Sequence, residues 1–416
     1  MNFLFRSGSD AVVLPQLLIS LSVFAARNAP VFQLESREPL PIVGELRSLD
    51  QEGLATIHDA AGMIRTATLL RLRQSGVTRP GRPRVPMLLL SNGDLIPGEI
   101  VGGDRQALKV RPSDQTDPTV EPWAVPLSLI SAFWLIPPPA DIPLDPADYS
   151  WRENARRQDA VLLRNGDIVL GTVEAIGDGP SLRIVRRPDH LPRVVEFSQI
   201  AAVAFDPSLS RAPRVRDPLT RLVTVEGMRL SLKSITADAS EIHGETCFGT
   251  ILRYPLHSVA TLEVDGRDAV RLGDLKPRAE ISQGFLGISW PRTVNQTVKG
   301  RPLCLPAEKG IDYYDYGLGT HPRCRLTYAL DKKYRRFVAA VGLDPVTGRA
   351  GTAVIRILVD GKEQPIAGMN PLTAGKSPVS VQVNLTGARE LTLVVDFGPT
   401  GDVQADVNWG DPRLIR

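Results

Sequence analysis

Apolar side chains recur at every second position over the last third of the chain. Leu326, Tyr328 and Leu330 share one face of a run, as do Ile355, Ile357 and Val359, then Val379, Val381, Val383 and Leu385, then Leu391, Leu393 and Val395. Period two marks a strand with one face in a core. Between the runs lie Asp344–Gly351, Asp360-Gly361-Lys362, the Gly375 region and Gly387, which read as turns by composition. No stretch of helical period interrupts them, so the pattern from about residue 285 predicts an antiparallel β-sandwich of about 130 residues.

Upstream, the pattern is repetitive. Leu88 to Ile100 (LLLSNGDLIPGEI) recurs as Val161 to Val173 (VLLRNGDIVLGTV), with the same step between glycines. Asn-Gly between two apolar runs predicts a hairpin, because a two-residue turn needs positive φ at positions these residues tolerate. Further strands follow each hairpin, Ala107–Arg111 with Val120–Leu129 and Ser181–Arg186 with Val194–Phe197, and each copy ends in a short apolar tail. Weaker copies flank these, at Phe32–Arg73 with Gly44 in the place of Gly98, and at Leu222–Val264 with Leu232 there. The expected plan is all-β: repeats at 28–80, 81–140, 158–210 and 211–275, a Pro-rich linker at 141–157, and the sandwich at 280–416. The Leu-rich strand, Asn-Gly-Asp turn and Gly-x-Val strand resemble the first hairpin of Sm-like and SH3-like five-stranded barrels, whose later RNA-contacting signature is not recognisable here. The turn residues Asp94 and Asp167 read as caps of their own backbone.

Composition fits this plan. The chain has 416 residues, 43% apolar and 23% charged, as in ordinary soluble proteins, and its 35 Gly and 35 Pro favour short strands joined by turns. Net charge is +3, and the 49 basic residues are scattered, so no basic stripe of a nucleic-acid-binding face is formed. Cys247, Cys304 and Cys324 lack Cys-x-x-Cys spacing; in an oxidising compartment Cys304 and Cys324 are placed to bridge. The apolar run Ala11–Ala25 suits a secretory signal ending near residue 27 and is too short to span a bilayer, so the expectation is an exported protein, periplasmic or at the cell surface, without stable transmembrane insertion.

Catalytic patterns are missing. There is no Gly-x-Ser-x-Gly elbow, no His-Glu-x-x-His and no dinucleotide fingerprint, and Ala374-Gly375-Lys376-Ser377 lacks the first glycine of a phosphate loop. Carboxylate pairs occur at Asp312/Asp315 and Asp406/Asp411, but nothing around them reads as a catalytic barrel. The expectation is therefore a protein that is not an enzyme and needs no cofactor, although loop Asp and Asn side chains offer oxygen ligands of the kind calcium takes.

In the last third, Tyr316-Gly317-Leu318-Gly319-Thr320-His321, Arg325-Leu326-Thr327-Tyr328, Phe337–Asp344, Val359-Asp360-Gly361-Lys362, Leu391–Asp396 and Asp406–Leu414 follow in an order and spacing that closely resemble the NPCBM family, modules often attached to glycoside hydrolases. The resemblance covers about residues 285–416 and implies a jelly-roll-type sandwich and, for some members, binding of galactose-containing glycans. The sequence departs from the family after Asp344, where Pro345-Val346-Thr347-Gly348 replaces an acidic stretch, and at Gln404–Asn408, where a His-containing segment is expected. Sugar recognition needs flat apolar faces and short fixed polar groups, and Tyr316, His321, Asp406, Asn408, Trp409 and Asp411 are of those types. Trp409 reads as core ring or stacking platform, and His321 as turn-holding or ligand-facing. Tyr313, Tyr314 and Tyr316 with Asp312 and Asp315 form a second candidate loop. Glycan is the expected partner; the alternative is a structural role in which the repeats and sandwich dock on envelope proteins.

Overall fold

The computed structural model describes residues 29–115, 117, 119–138, 158–177, 179–186, 191–210, 219–266, 268–283, 288–368 and 370–416; the signal-like segment and the linker 141–157 lie outside them. Among the described residues no helix is long and apolar enough to cross a membrane. Strands dominate, in four five-stranded units followed by two stacked sheets.

The first unit comprises β1 (Val31–Glu35), β2 (Ile42–Leu49), β3 (Leu54–Asp59), β4 (Ile64–Thr68) and β5 (Arg71–Gln74). The second has β6 (Met87–Leu90), β7 (Leu95–Gly103), β8 (Ala107–Pro112), β9 (Trp123–Pro126) and β10 (Ile130–Trp134). The third has β11 (Asp159–Leu163), β12 (Ile168–Ile176), β13 (Ser181–Arg186), β14 (Pro192–Glu196) and β15 (Ile200–Ala204). The fourth has β16 (Leu219–Thr224), β17 (Arg229–Ala237), β18 (Glu241–Thr246), β19 (Ile251–Pro255) and β20 (Val259–Asp265). In each, four strands form a meander and the fifth returns to pair with the first. The second strand always carries a bulge, between Leu46 and Ser48, Ile100 and Gly102, Val173 and Ala175, and Leu232 and Ser234. A bulge adds twist and bends the strand over the core. At Gly44, Gly98 and Gly171 a Cβ would collide with a carbonyl oxygen of the facing strand, that of His58, Arg111 or Val185. Leu232 stands in this place in the fourth unit; there the bulge follows at once and Gly244 gives the room from across the ladder, where an added Cβ would sit 3.2 Å from a Leu232 methyl.

The units join in pairs that are not sequential. Strand β5 pairs with β20, joining the first unit to the fourth, and β10 pairs with β15, joining the second to the third. The second strands of each pair also meet at their ends, through Leu49 with Ala237 and through Gly103 N donating to Gly177 O at 2.9 Å. One bridge, Leu95 with Arg229, links the two pairs. A single buried cluster, from Phe32 and Leu34 to Val259 and Leu262, draws on all four units.

The sandwich uses β21 (Ala269–Arg271), β22 (Ala279–Ser282), β23 (Thr293–Val294), β24 (Cys304–Ala307), β25 (Gly310–Tyr313), β26 (Gly317–Thr320), β27 (Cys324–Ala329), β28 (Arg336–Leu343), β29 (Thr352–Val359), β30 (Lys362–Gln364), β31 (Leu372–Thr373), β32 (Val379–Asn384), β33 (Glu390–Phe397) and β34 (Val407–Ile415). One sheet runs β23-β26-β34-β28-β32, with β21 also on β34; the other runs β22-β27-β33-β29-β30, with β31 on β29. The alternating residues picked out by period two, from Leu326 and Tyr328 to Leu393 and Val395, fill the space between the sheets. Strand β34 is central, and all nine of its residues are buried. Strand β21 falls inside the stretch 211–275 assigned to the fourth repeat, yet its backbone bonds belong to the sandwich.

Candidate functional site

The two Asn-Gly-Asp turns diverge in use. Gly93 and Gly166 hold the positive φ expected, 84° and 90°, and in both turns the Asn side chain accepts from the Asp backbone N–H at 3.1 Å. Asp167 stays exposed beside Asn165. Asp94 is fully buried, so the capping role expected of it is corrected: it forms an ion pair with Arg221 of β16 and accepts from Ser231 N at 2.9 Å and Ser231 Oγ at 2.7 Å. The turn thus holds the second unit to the fourth.

A network of buried ion pairs then ties the repeats to the sandwich. Arg71 of β5 meets Asp411 of β34 at 2.6 Å and also pairs with Glu35, while Arg413 reaches Glu35 at 2.6 Å. Arg79, in the connector after β5, pairs with Asp411, lies 3.2 Å from Asp312 and stacks its guanidinium over Tyr314 at 3.6 Å. Arg73 meets Asp312 at 2.9 Å, and Arg229 of β17 meets Asp315 at 2.6 Å. Burial pushes the carboxyls of Glu35 and Asp411 up, but the surrounding arginines outweigh it: Arg71 and Arg413 bring Glu35 down to about 2, and Arg79, Arg71 and Arg413 hold Asp411 well below the usual carboxylate range. Asp312 and Asp315 are lowered in the same way, whereas burial and the charge of Asp411 raise Glu263.

One end of the sandwich gathers a different set. The half-buried Trp290 ring stacks on His321 with centroids 5.6 Å apart and planes 27° from parallel. His321 is 6% exposed, its Nε2 lies 3.8 Å from Asp406 Oδ1, and its Nδ1 is buried without a hydrogen-bond partner. Asp406 also takes Lys299 Nζ at 3.0 Å and Thr347 Oγ1 at 2.9 Å, and Thr347 lies 3.0 Å from Asp344 Oδ2. Burial raises the Asp344 carboxyl. The two segments that depart from the family pattern therefore meet here, joined by Asp344 N donating to Asp406 O at 2.9 Å. This donor set does not fit calcium, since the Lys299 ammonium stands where a cation would sit against Asp406. Among the described residues, His and acidic ligand atoms gather instead at Asp238, Glu241 and His243, beside the β17–β18 turn.

Of the six residues singled out as ligand contacts, His321 and Asp406 come together at this end. Trp409 does not join them: it is fully buried in the sandwich core, its Nε1 donating to Thr320 Oγ1 at 3.2 Å, so the platform role is corrected to a core role. Asn408 is sealed as well, donating to Cys304 O at 2.8 Å, and Asp411 is consumed by the arginines. Both lie on β34, whose two edges are covered by β26 and β28. Tyr316 is half-buried under the Arg271 guanidinium. The bridge foreseen for Cys304 and Cys324 is absent: both are free, one in the outer hairpin β24–β25 and the other in the core on β27. Trp290, Lys299 and Thr347 had no sequence signal beyond residue type, because loop segments far apart in the chain bring them together.

Fold and cluster together define an all-β protein that ends in a two-sheet sandwich. Residues 268–415 match the family model described as the NPCBM/NEW2 domain, which bears out the resemblance read from the sequence. Similar solved structures include CBM51 from Clostridium perfringens GH95 in complex with methyl-galactose, at 25% identity over 35% of this chain and 99% of that one, with a TM-score of 0.31. CBM51-2 with INT domains from Clostridium perfringens ZmpB, in complex with GlcNAc, is 18% identical over 44% of this chain and 37% of that one, with a TM-score of 0.33. The tandem CBM51 modules of the family 98 glycoside hydrolase from Streptococcus pneumoniae are 10% identical over 86% and 87% of the two chains, with a TM-score of 0.32. No curated protein matches.

Proposed function

We propose that the chain is a non-catalytic, exported glycan-binding protein whose sandwich holds a sugar at the Trp290–His321 end. The observation that carries this is the orphaned, buried Nδ1 of His321 beneath a half-buried tryptophan, beside Lys299 and Asp406. An indole face offers the flat apolar surface that sugar C–H groups prefer, and imidazole, ammonium and carboxylate supply donors and acceptors for hydroxyls. Three of the four carboxylates that the sequence offers in pairs are unsuited to general-acid work, whereas Asp344, beside Asp406, is raised by burial. Asp312, Asp315 and Asp411 are held ionised by arginines, the opposite of what a general acid near neutral pH requires. Export is supported by the apolar run Ala11–Ala25. The full chain on a glycan array is expected to retain at least one neutral glycan saturably, and Trp290→Ala to lose it. Arrays blank for the folded full chain overturn the reading and favour docking on envelope proteins.

A further inference from the structure

A cleft of about 700 Å3 opens where the sandwich meets the second and fourth repeats, lined on its sandwich side by Asn295, Gln296, Tyr313 and Tyr316 and on its repeat side by Ser91 and Asn92. We propose that this cleft is a second saccharide site, built jointly by repeats and sandwich, that takes a neutral oligosaccharide; it rests on the glycan reading above. Its volume matches that of small-molecule sites in general. Two half-buried tyrosine rings line it, and Ser91 Oγ is buried there without a hydrogen-bond partner. Asn295 Oδ1 accepts from Gly317 N at 3.1 Å, which leaves its NH2 for a ligand.

Most of the charge in the cleft is matched. Of the three arginines that line it, Arg82, Arg221 and Arg229, the last two have carboxylate partners in Asp94 and Asp315. What they leave for a ligand is amide, hydroxyl and ring surface, the chemistry of an uncharged sugar. The walls are also fixed in advance. Arg79 N donates to Asp312 Oδ1 at 2.7 Å, Tyr313 N to Arg79 O at 3.2 Å and Arg229 Nη2 to Pro80 O at 2.7 Å, pinning the connector and the tyrosine loop together. A cleft held in this way loses little freedom on binding.

The test uses the full chain with two neutral probes, galactotetraose and chitotetraose, each carrying a diazirine for photolabelling, followed by peptide mapping and calorimetry. Label is expected on peptides containing Ser91–Leu95 or Tyr313–Tyr316. Ser91→Trp, which fills the cleft, is expected to abolish that label and weaken tetrasaccharide binding at least tenfold. The paired substitution Asn295→Ala with Gln296→Ala, in a surface loop, is expected to act in the same direction and covers the case in which Ser91→Trp does not fold. Label confined to the Trp290 region, with wild-type affinity in the cleft variants, overturns the second site and leaves the sandwich-end reading standing. Label confined to the cleft supports the second site and removes the sandwich-end reading. Failure of both probes to bind overturns both.

Discussion

Asp411 shows how far a residue's role can lie from its local sequence. It sits on the terminal strand at a positive φ of 45°, a region that Asn and Asp tolerate better than most residues, and its carboxylate faces Arg71 and Arg79, more than three hundred positions away. Asp411→Asn keeps the shape and the backbone preference and removes one carboxylate from Arg71 and Arg79, which keep Glu35 and Asp312 as partners. It is expected to cost about 1.5–3 kcal/mol, measured by urea unfolding. Trp409→Ala opens a void in the sandwich and is expected to cost about 3–5 kcal/mol, while Trp290→Ala, at a half-buried ring, is expected to cost far less in the same measurement. Residue type alone had put Trp409 and Asp411 among ligand contacts. Aromatic rings and carboxylates serve cores and ion pairs as well as sugars, and what separates these uses is which neighbours the fold brings up.

Strands and turns were far more legible than sites. Period-two runs placed the sandwich strands because each buries one face between two sheets, and Asn-Gly placed two hairpins because positive φ limits the choice of residue. Asp94 was misread since nothing within its own hairpin distinguishes it from Asp167; the difference is Arg221, on another unit. The glycine of the second strand was legible as a repeated position, and its reason is the close approach of the facing carbonyl. Gly98→Ala is expected to force that crossing apart and destabilise by about 1–3 kcal/mol in the same unfolding measurement, with the loss seen first as faster amide exchange in β7 and β8.

At the scale of the whole molecule, the repeats and the sandwich share one buried ionic seam, which links their stability to pH. The Glu35 carboxyl lies below its unfolded value, so its contribution is present above about pH 4.5 and is lost as pH falls toward about 2. Asp411, Asp312 and Asp315 have the same sign. Glu263 has the opposite sign, because protonating a carboxyl raised by burial relieves the folded state. With four carboxyls against one, the melting temperature is expected to fall between pH 5 and 3, and Glu35→Gln is expected to flatten that fall; calorimetry across the interval decides. None of this seam was readable beforehand, since ion pairs across hundreds of residues leave no periodic trace.

The pairing of the first unit with the fourth and of the second with the third has a consequence for how such a chain can change length. An open array grows by copying one module onto a free end. Here every fifth strand is already committed to another fifth strand, β5 to β20 and β10 to β15, so an extra copy would find no unpaired fifth strand to dock on. The number four is set by mutual closure, and growth or loss would have to come in matched couples.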